Sequence, residues 1–315
     1  MGGRQEASYG VPFDGVEGIQ HVQQPVDDGA EEVLPQTDGL RFDAQHDPAP
    51  VAVVADPDHV DRSAAGFILS ERRSKETWTA VTAYRHSPRP EHRSFVVDVA
   101  FGHLVSFGGW MNSYEAEVTE LLTAWARDGD DDPGVLAQVL RVLDETDCEE
   151  PDALGLRYAT HPDARVRARV PTLLRSRATP PAPPDAAVRA ALLVLAGDDD
   201  RAVRTSAGRV MGAEHDGGAA FTNVVARLLR DPEVQVRAGV AEAAAAGDDR
   251  SPELADALAA LLDDHDFDTR LSAAYGLLRR GDPRTGDAIG RLGQPPHPAY
   301  EHDHRLSALF RWEGC

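Results

Sequence analysis

The sequence predicts an all-α chain, a row of stacked helix–turn–helix pairs, and three observations predict it. Arginines recur at a near-constant period: Arg167, Arg204, Arg237, Arg270 and Arg305 are 37, 33, 33 and 35 residues apart. An acidic turn precedes most of these arginines, and an Ala-, Leu- and Val-rich face with helical spacing follows each of the first four. Before each acidic turn lies another amphipathic stretch, so every period holds two helices, A and B, as helical repeat units do.

Read in order, the chain of 315 residues begins with a stretch unlike the rest. Residues 1–61 hold 13 acids and 2 Arg, net −11, which leaves −10 of the total −21 for the other 254 residues. Six prolines (Pro12, Pro25, Pro35, Pro48, Pro50, Pro57) interrupt it, and no apolar period is sustained. Such a segment buries too little apolar surface to offset its chain entropy, so it is expected to be a disordered acidic leader, with the repeats at 62–315.

The first unit has helix A over Ala64–Tyr84, with Phe67, Ile68, Trp78, Val81 and Tyr84, and helix B after Pro88-Arg-Pro-Glu-His-Arg93. Within Ser94–Phe107 the Val and Phe residues alternate, so helix and strand both stay open there. Glu115–Ala126 is the next helix A, and Asp130-Asp-Asp-Pro-Gly-Val135-Leu136 opens its helix B, with Leu136 where arginine is expected. Asp163-Ala-Arg-Val166-Arg167 leads into Ala168, Val170 and Leu173, and Pro180-Pro-Ala-Pro-Pro184 accounts for the longer step after it. The clearest copies follow: Ala186–Leu195 before Asp200-Arg-Ala-Val-Arg204, Phe221–Leu229 before Asp231-Pro-Glu-Val-Gln-Val-Arg237, and Leu254–Leu262 before Asp266-Phe-Asp-Thr-Arg270. Arg305-Leu-Ser-Ala308 echoes Arg270-Leu-Ser-Ala273 and starts a terminal unit. Asp at these turns can accept the free N–H groups of a helix start, Pro suits the first helical position, and Gly212, Gly247 and Gly281 are placed to supply positive-φ C-caps.

This Asp-x-x-x-Val-Arg unit with its Ala-rich face resembles HEAT repeats, in particular the short bacterial kind grouped with phycobilisome-lyase-type HEAT-like repeats. The resemblance covers roughly residues 63–315 and is clearest at 185–281. It implies a right-handed α-solenoid of about seven hairpins, an armadillo-like superhelix. It also implies a structural ladder between repeats, made by Asp163, Arg167, Asp200, Arg204, Asp231, Arg237, Asp266, Arg270 and Arg305.

Several chemistries can be weighed residue by residue. Two cysteines, Cys148 and Cys315, allow neither a disulfide framework nor a multi-cysteine zinc site, and Cys148 lies among Asp147, Glu149 and Glu150, a setting that does not activate a thiol. Some proteins of HEAT-like build are metal hydroxylases of the deoxyhypusine hydroxylase type, with repeated His-Glu dyads. Here the order is reversed at Glu91-His92, Glu214-His215 and Glu301-His302. His297, His302, Asp303 and His304 form the one local set of metal-ligand types, in a Pro-rich loop where solvated histidines are the plainer reading. Asp264-His265-Asp266-Phe-Asp268 lacks the Gly and terminal Glu of a calcium loop. Another HEAT-like class, the alkylpurine DNA glycosylases, stacks bases on aromatics. Trp78 and Trp125 fall on apolar helix faces, which favours core packing over that use, with Trp110 and Trp312 the other tryptophans. The net negative charge opposes a polyanion partner. No phosphate loop or nucleophile elbow is present.

The expectation is therefore a non-catalytic scaffold or adaptor, with no catalytic, cofactor or metal residues assigned. It would bind a protein or peptide along the B-helix face through Arg169, Arg209, Glu242, Arg279 and Arg280. No nucleic acid or membrane partner is expected, and the expected location is the cytoplasm of a bacterium. The alternative class is an enzyme or cofactor-handling protein on the same repeats, lyase-like or metal-dependent, with a DNA-glycosylase-like role behind it.

Overall fold

The computed structural model describes residue 69 and residues 74–105, 115–175, 184–213 and 218–312, all within the compact unit His46–Cys315. The predicted leader, Trp110 and Cys315 lie outside the described residues, as does most of the Pro180–Pro184 connection. Among the described residues the secondary structure is helical throughout, with no strand.

Among these residues seven pairs follow one another. They are α1 (Lys75–Thr82, extended by a 3-10 turn over Ala83–His86) with α2 (Pro90–Val105), and α3 (Glu115–Asp128) with α4 (Pro133–Leu143). Next, α5 (Pro151–Tyr158) pairs with a B helix broken into α6 (Ala164–Arg167) and α7 (Val170–Leu173). Then come α8 (Ala186–Leu195) with α9 (Arg201–Ala213), and α10 (Gly218–Leu228) with α11 (Val234–Ala246). The last two are α12 (Pro252–Ala260) with α13 (Phe267–Arg279), and α14 (Thr285–Leu292) with α15 (His304–Phe310). This is an α-solenoid.

Local chemistry sets the boundaries. Asp132, Asp163, Asp185, Asp266 and Asp303 each accept a backbone N–H of the first helical turn, and Pro133, Pro151 and Pro252 sit at helix starts where no donor is needed. Ser94–Val105 is helix, which settles the open choice. Phe95, Val96, Val97, Val99 and Ala100 are all buried, so the helix is apolar nearly all round and its alternation carries no strand information. The B helix predicted after Asp163 is not continuous. Pro171 has no N–H to donate to Arg167, and the helix breaks at Ala168–Arg169 before resuming at Val170. Pro151–Tyr158, short and weakly amphipathic, is a helix that the apolar pattern does not announce.

B helices pack on B helices along the row, most closely α9 on α11 and α11 on α13. The contact is made of Ala207, Gly208, Ala241, Ala244 and Ala273, small enough to bring the backbones together, with Leu and Val filling the space between A and B layers. Each fully buried Leu or Val contributes roughly 1.5–3 kcal/mol. Of the three glycines expected to be C-caps, only Gly281 has positive φ, +61°. Gly247 is extended (φ −70°), and Gly212 lies inside α9. Their reason is close approach, since a Cβ on Gly247 would stand 2.2 Å from the Gly212 carbonyl oxygen.

Candidate functional site

Where one repeat meets the next, an arginine near the start of a B helix reaches a carboxylate in the following turn. Arg93 donates from Nε and Nη2 to Asp130 at 3.0 and 2.8 Å, and Arg167 does the same to Asp198 at 2.7 and 2.9 Å. Arg204 meets Asp231 at 2.8 and 3.1 Å, and Arg237 meets Asp264 at 2.7 and 3.2 Å. Both planar forks are fully used, the strongest form such a pair takes. The third nitrogen, Nη1, turns back to the arginine's own turn: in Arg204 to the carbonyls of Asp198 and Asp199, both at 2.9 Å, in Arg237 to those of Asp231 and Pro232 at 2.9 and 3.0 Å.

The turn itself is an Asx structure. The first aspartate accepts the N–H two residues on, as Asp198 does from Asp200, Asp231 from Glu233 and Asp264 from Asp266, each at 2.9 Å. One carboxylate thus holds its own turn and receives the neighbour's guanidinium. Burial pushes the Asp231 and Asp264 carboxyls up, but the hydrogen bonds from Arg204 or Arg237 and from the turn N–H outweigh it, and both lie below the ordinary range. In Asp198 the bond from Arg167 is the leading cause of the same lowering.

The ladder therefore differs in membership from the sequence expectation. Arg167, Arg204, Arg237 and Asp231 stand in it. Asp200 and Asp266 instead cap α9 and α13, and Asp163 caps α6 and holds Arg165; the rung carboxylates sit two residues earlier than the caps, at Asp198 and Asp264. Arg270 makes no carboxylate rung: it donates to the carbonyls of Asp264 and His265, reaches the Leu292 carbonyl of the next pair at 3.5 Å and lies over the Phe267 ring at 5.5 Å. Arg305 points the other way, to its own Asp303 and back to Asp268 and Ser272. The missed members, Arg93, Asp130, Asp198 and Asp264, carry a readable signal, because every rung arginine lies six residues after the first residue of its turn.

That register explains one histidine. His161 occupies the first turn position, six residues before Arg167, and accepts the Asp163 N–H at Nδ1 at 3.1 Å; His297 accepts the Ala299 N–H at Nδ1 at 3.0 Å in the same way but stands eight residues before Arg305. His161 follows the one unit where Leu136 replaces the arginine, so both halves of that rung are absent together. His302 and His304 are exposed, His304 edge-on to Tyr275 at 5.6 Å. Among the described residues no three His, Cys, Asp or Glu side chains are gathered as a metal would need.

The residues expected on the B-helix face have varied surroundings. Arg209 and Glu242, on adjacent B helices, bind each other at 2.7 Å. Arg279 donates to the Ala246 carbonyl, and Arg280 to those of Gly276 and Ala244, both at 2.9 Å, so they close the ends of α11 and α13. Burial, with Arg250 alongside, pushes the Arg280 pKa down to about 10. Arg169 is exposed, in the break between α6 and α7. Trp125 is buried and donates from Nε1 to Asp130 at 3.0 Å; Trp78 is half-buried against His103; Trp312 is exposed. Cys148 is buried, with the Thr123 hydroxyl 3.7 Å from its Sγ.

Residues 221–298 match the family described as HEAT repeats. Among solved structures the chain is similar to the X-ray structure of the Escherichia coli protein YibA, with a TM-score of 0.55 and 14% identity over 85% of this chain and 93% of that one. At that identity the likeness concerns the fold. No curated protein sequence matches. Residues 221–298 are thus similar to HEAT repeats, and the described residues as a whole form an α-solenoid.

Proposed function

We propose that the protein is a non-catalytic scaffold that holds a protein or peptide partner along the face carried by its B helices. The observation that supports this reading most is the side-by-side row of α2, α4, α6, α9, α11 and α13, a continuous surface on which Arg169, Arg209, Gln235 and Glu242 are exposed. HEAT repeats generally serve as interaction surfaces, and stacked pairs suit that use because each adds an increment of the same face. The acidic total charge favours a protein partner over a nucleic acid. A cytoplasmic, bacterial setting belongs to the same reading, and no described helix is long and apolar enough to cross a membrane.

The test is site-specific photo-crosslinking in cells with the full chain. A benzophenone at Gln235 or Glu242, on the B face, is expected to capture a defined partner. The same group at Asn223 or Ala260, exposed on A helices, is expected not to. Equal capture from both sets, or none from the B face, would overturn the reading.

A further inference from the structure

We propose that the array bends between its second and third pairs, and that like charge across a groove on the A side of this junction holds the joint open. Elsewhere the B helices are tied. Arg93, Arg167, Arg204 and Arg237 fork onto the aspartate of the following turn, and Arg305 reaches back from α15 to Asp268 in α13 at 3.1 Å. Between α4 and α6, Leu136 and His161 stand in the two rung positions. Leu136 and Val166 are buried there, and apolar packing of this kind is non-directional: it holds helices together without fixing their angle. One ion pair crosses from the end of α7 to the end of α4, Arg175 with Asp144 at 3.6 Å, and it lacks the fork.

The A side of the same junction is open. α10 packs directly on α12, but no comparable helix-to-helix contact joins α3 to α5. Between α3 and the turn before α5 lies a groove of about 720 Å³, with Ala116, Thr119 and Thr123 among its short side chains. Its lining carries five carboxylates, Glu115, Glu120, Asp147, Glu149 and Glu150, against one guanidinium, Arg127, which pairs with Glu150. The bonds across the gap gather at the C-terminal half of α3. They run from the Thr123 hydroxyl to Cys148, from Arg127 to Glu150, and from the Tyr158 hydroxyl to the Ala126 carbonyl at 2.6 Å. In the N-terminal half Thr119 bonds to its own helix, at the Glu115 carbonyl, and among the described residues Glu115 and Glu120 have no basic partner. The gap is thus pinned at one end of α3 and free at the other, with carboxylates on both walls. Such charges repel across a gap, and salt screens the repulsion. Bending there changes the angle between the part of the B face on α2 and α4 and the part on α9, α11 and α13.

Double electron–electron resonance on the full chain tests this, with spin labels attached to p-acetylphenylalanine at exposed positions. One pair, at Glu117 and Ala153, spans the joint from α3 to α5; the control pair, at Ala220 and Ala260, spans a junction with a rung, from α10 to α12. The distance distribution across the joint is expected to be at least about twice as broad as the control. Between about 0.1 and about 1 M salt the screening length falls from about 10 to about 3 Å, so the mean distance across the joint should shorten by about 3 Å or more while the control holds. Glu120→Gln with Glu149→Gln, both at exposed positions, should melt as the parent does and give the shorter distance already at low salt. Equal widths for the two pairs, or a distance across the joint that moves neither with salt nor in the Gln variant, would overturn the proposal.

Discussion

Arg204 and Asp231 join successive repeats through two parallel hydrogen bonds, 2.8 Å from Nε and 3.1 Å from Nη2, while Nη1 of the same arginine closes its own turn. The carboxylate is 7% exposed and the guanidinium 15%, so each has given up most of its water for the other. Removing one partner of such a pair leaves a charge without compensation.

Arg204→Ala should therefore lower stability by about 3 kcal/mol. Arg204→Lys keeps the charge but loses the fork and should cost about 1–2 kcal/mol. Because each pair touches only its neighbours, the loss should be read locally, as faster amide hydrogen exchange in α9 and α11 with little change in α3. Uniform loss across the array would contradict a nearest-neighbour ladder.

The rung carboxylates also set an acid limit. Asp198, Asp231 and Asp264 have folded pKa values below the ordinary 3.8, so their contribution is present above that value and is lost as pH falls through the lower folded values. Stability from these groups should be level between about pH 5 and 8 and should fall below about pH 4. Asp231→Asn should cost roughly 1.5–3 kcal/mol at pH 7. The gap between parent and variant in urea titrations should narrow toward pH 3. A gap that stays constant over that range would mean the charge of Asp231 is not what stabilises the turn.

The period, the order of pairs and most helix starts are legible because they are local: an Asp that caps, a Pro at the first turn, apolar residues three and four apart. Rung membership is not, since both Asp198 and Asp200 are plausible turn acids. Only their division of labour in space, one taking the guanidinium and one the helix N–H groups, separates them. The counting rule of six residues from turn start to arginine does separate them, but it becomes visible once one rung is known. The break at Pro171 is readable from that residue alone and is masked by the strength of the repeat around it. The B-face residues are the least legible. Arg279 is exposed as expected and Arg280 only partly so, and each, as a long arginine at a helix end, finds neighbouring carbonyls that no pattern in the chain announces.

Close packing of α9 on α11 makes a second contrast. Gly247→Ala puts a methyl 2.2 Å from a backbone oxygen, which no side-chain rotation can relieve, and should cost about 2–3 kcal/mol. Gly281→Ala meets nothing within 4 Å and strains only a φ of +61°, so about 1 kcal/mol is expected. Thermal melts of the two variants check the order. A larger loss at Gly281 would show that backbone freedom, not proximity, governs these glycines.

The absent rung between α4 and α6 gives the sharpest test of the register. Leu136 stands six residues after Asp130, as Arg204 and Arg237 stand after Asp198 and Asp231, and His161 stands where those aspartates do. Leu136→Arg alone should place a charge in a site that is 1% exposed and destabilise by roughly 3 kcal/mol or more. His161→Asp alone keeps the turn, since a carboxylate can accept the Asp163 N–H that Nδ1 accepts now, and should change stability by less than about 1 kcal/mol. With both substitutions, the introduced guanidinium would face the introduced carboxylate as Arg204 faces Asp231. A double-mutant cycle should then show a favourable coupling of about 2 kcal/mol. Additive losses in that cycle would mean that the two positions do not face each other and that the six-residue register fails at the third repeat.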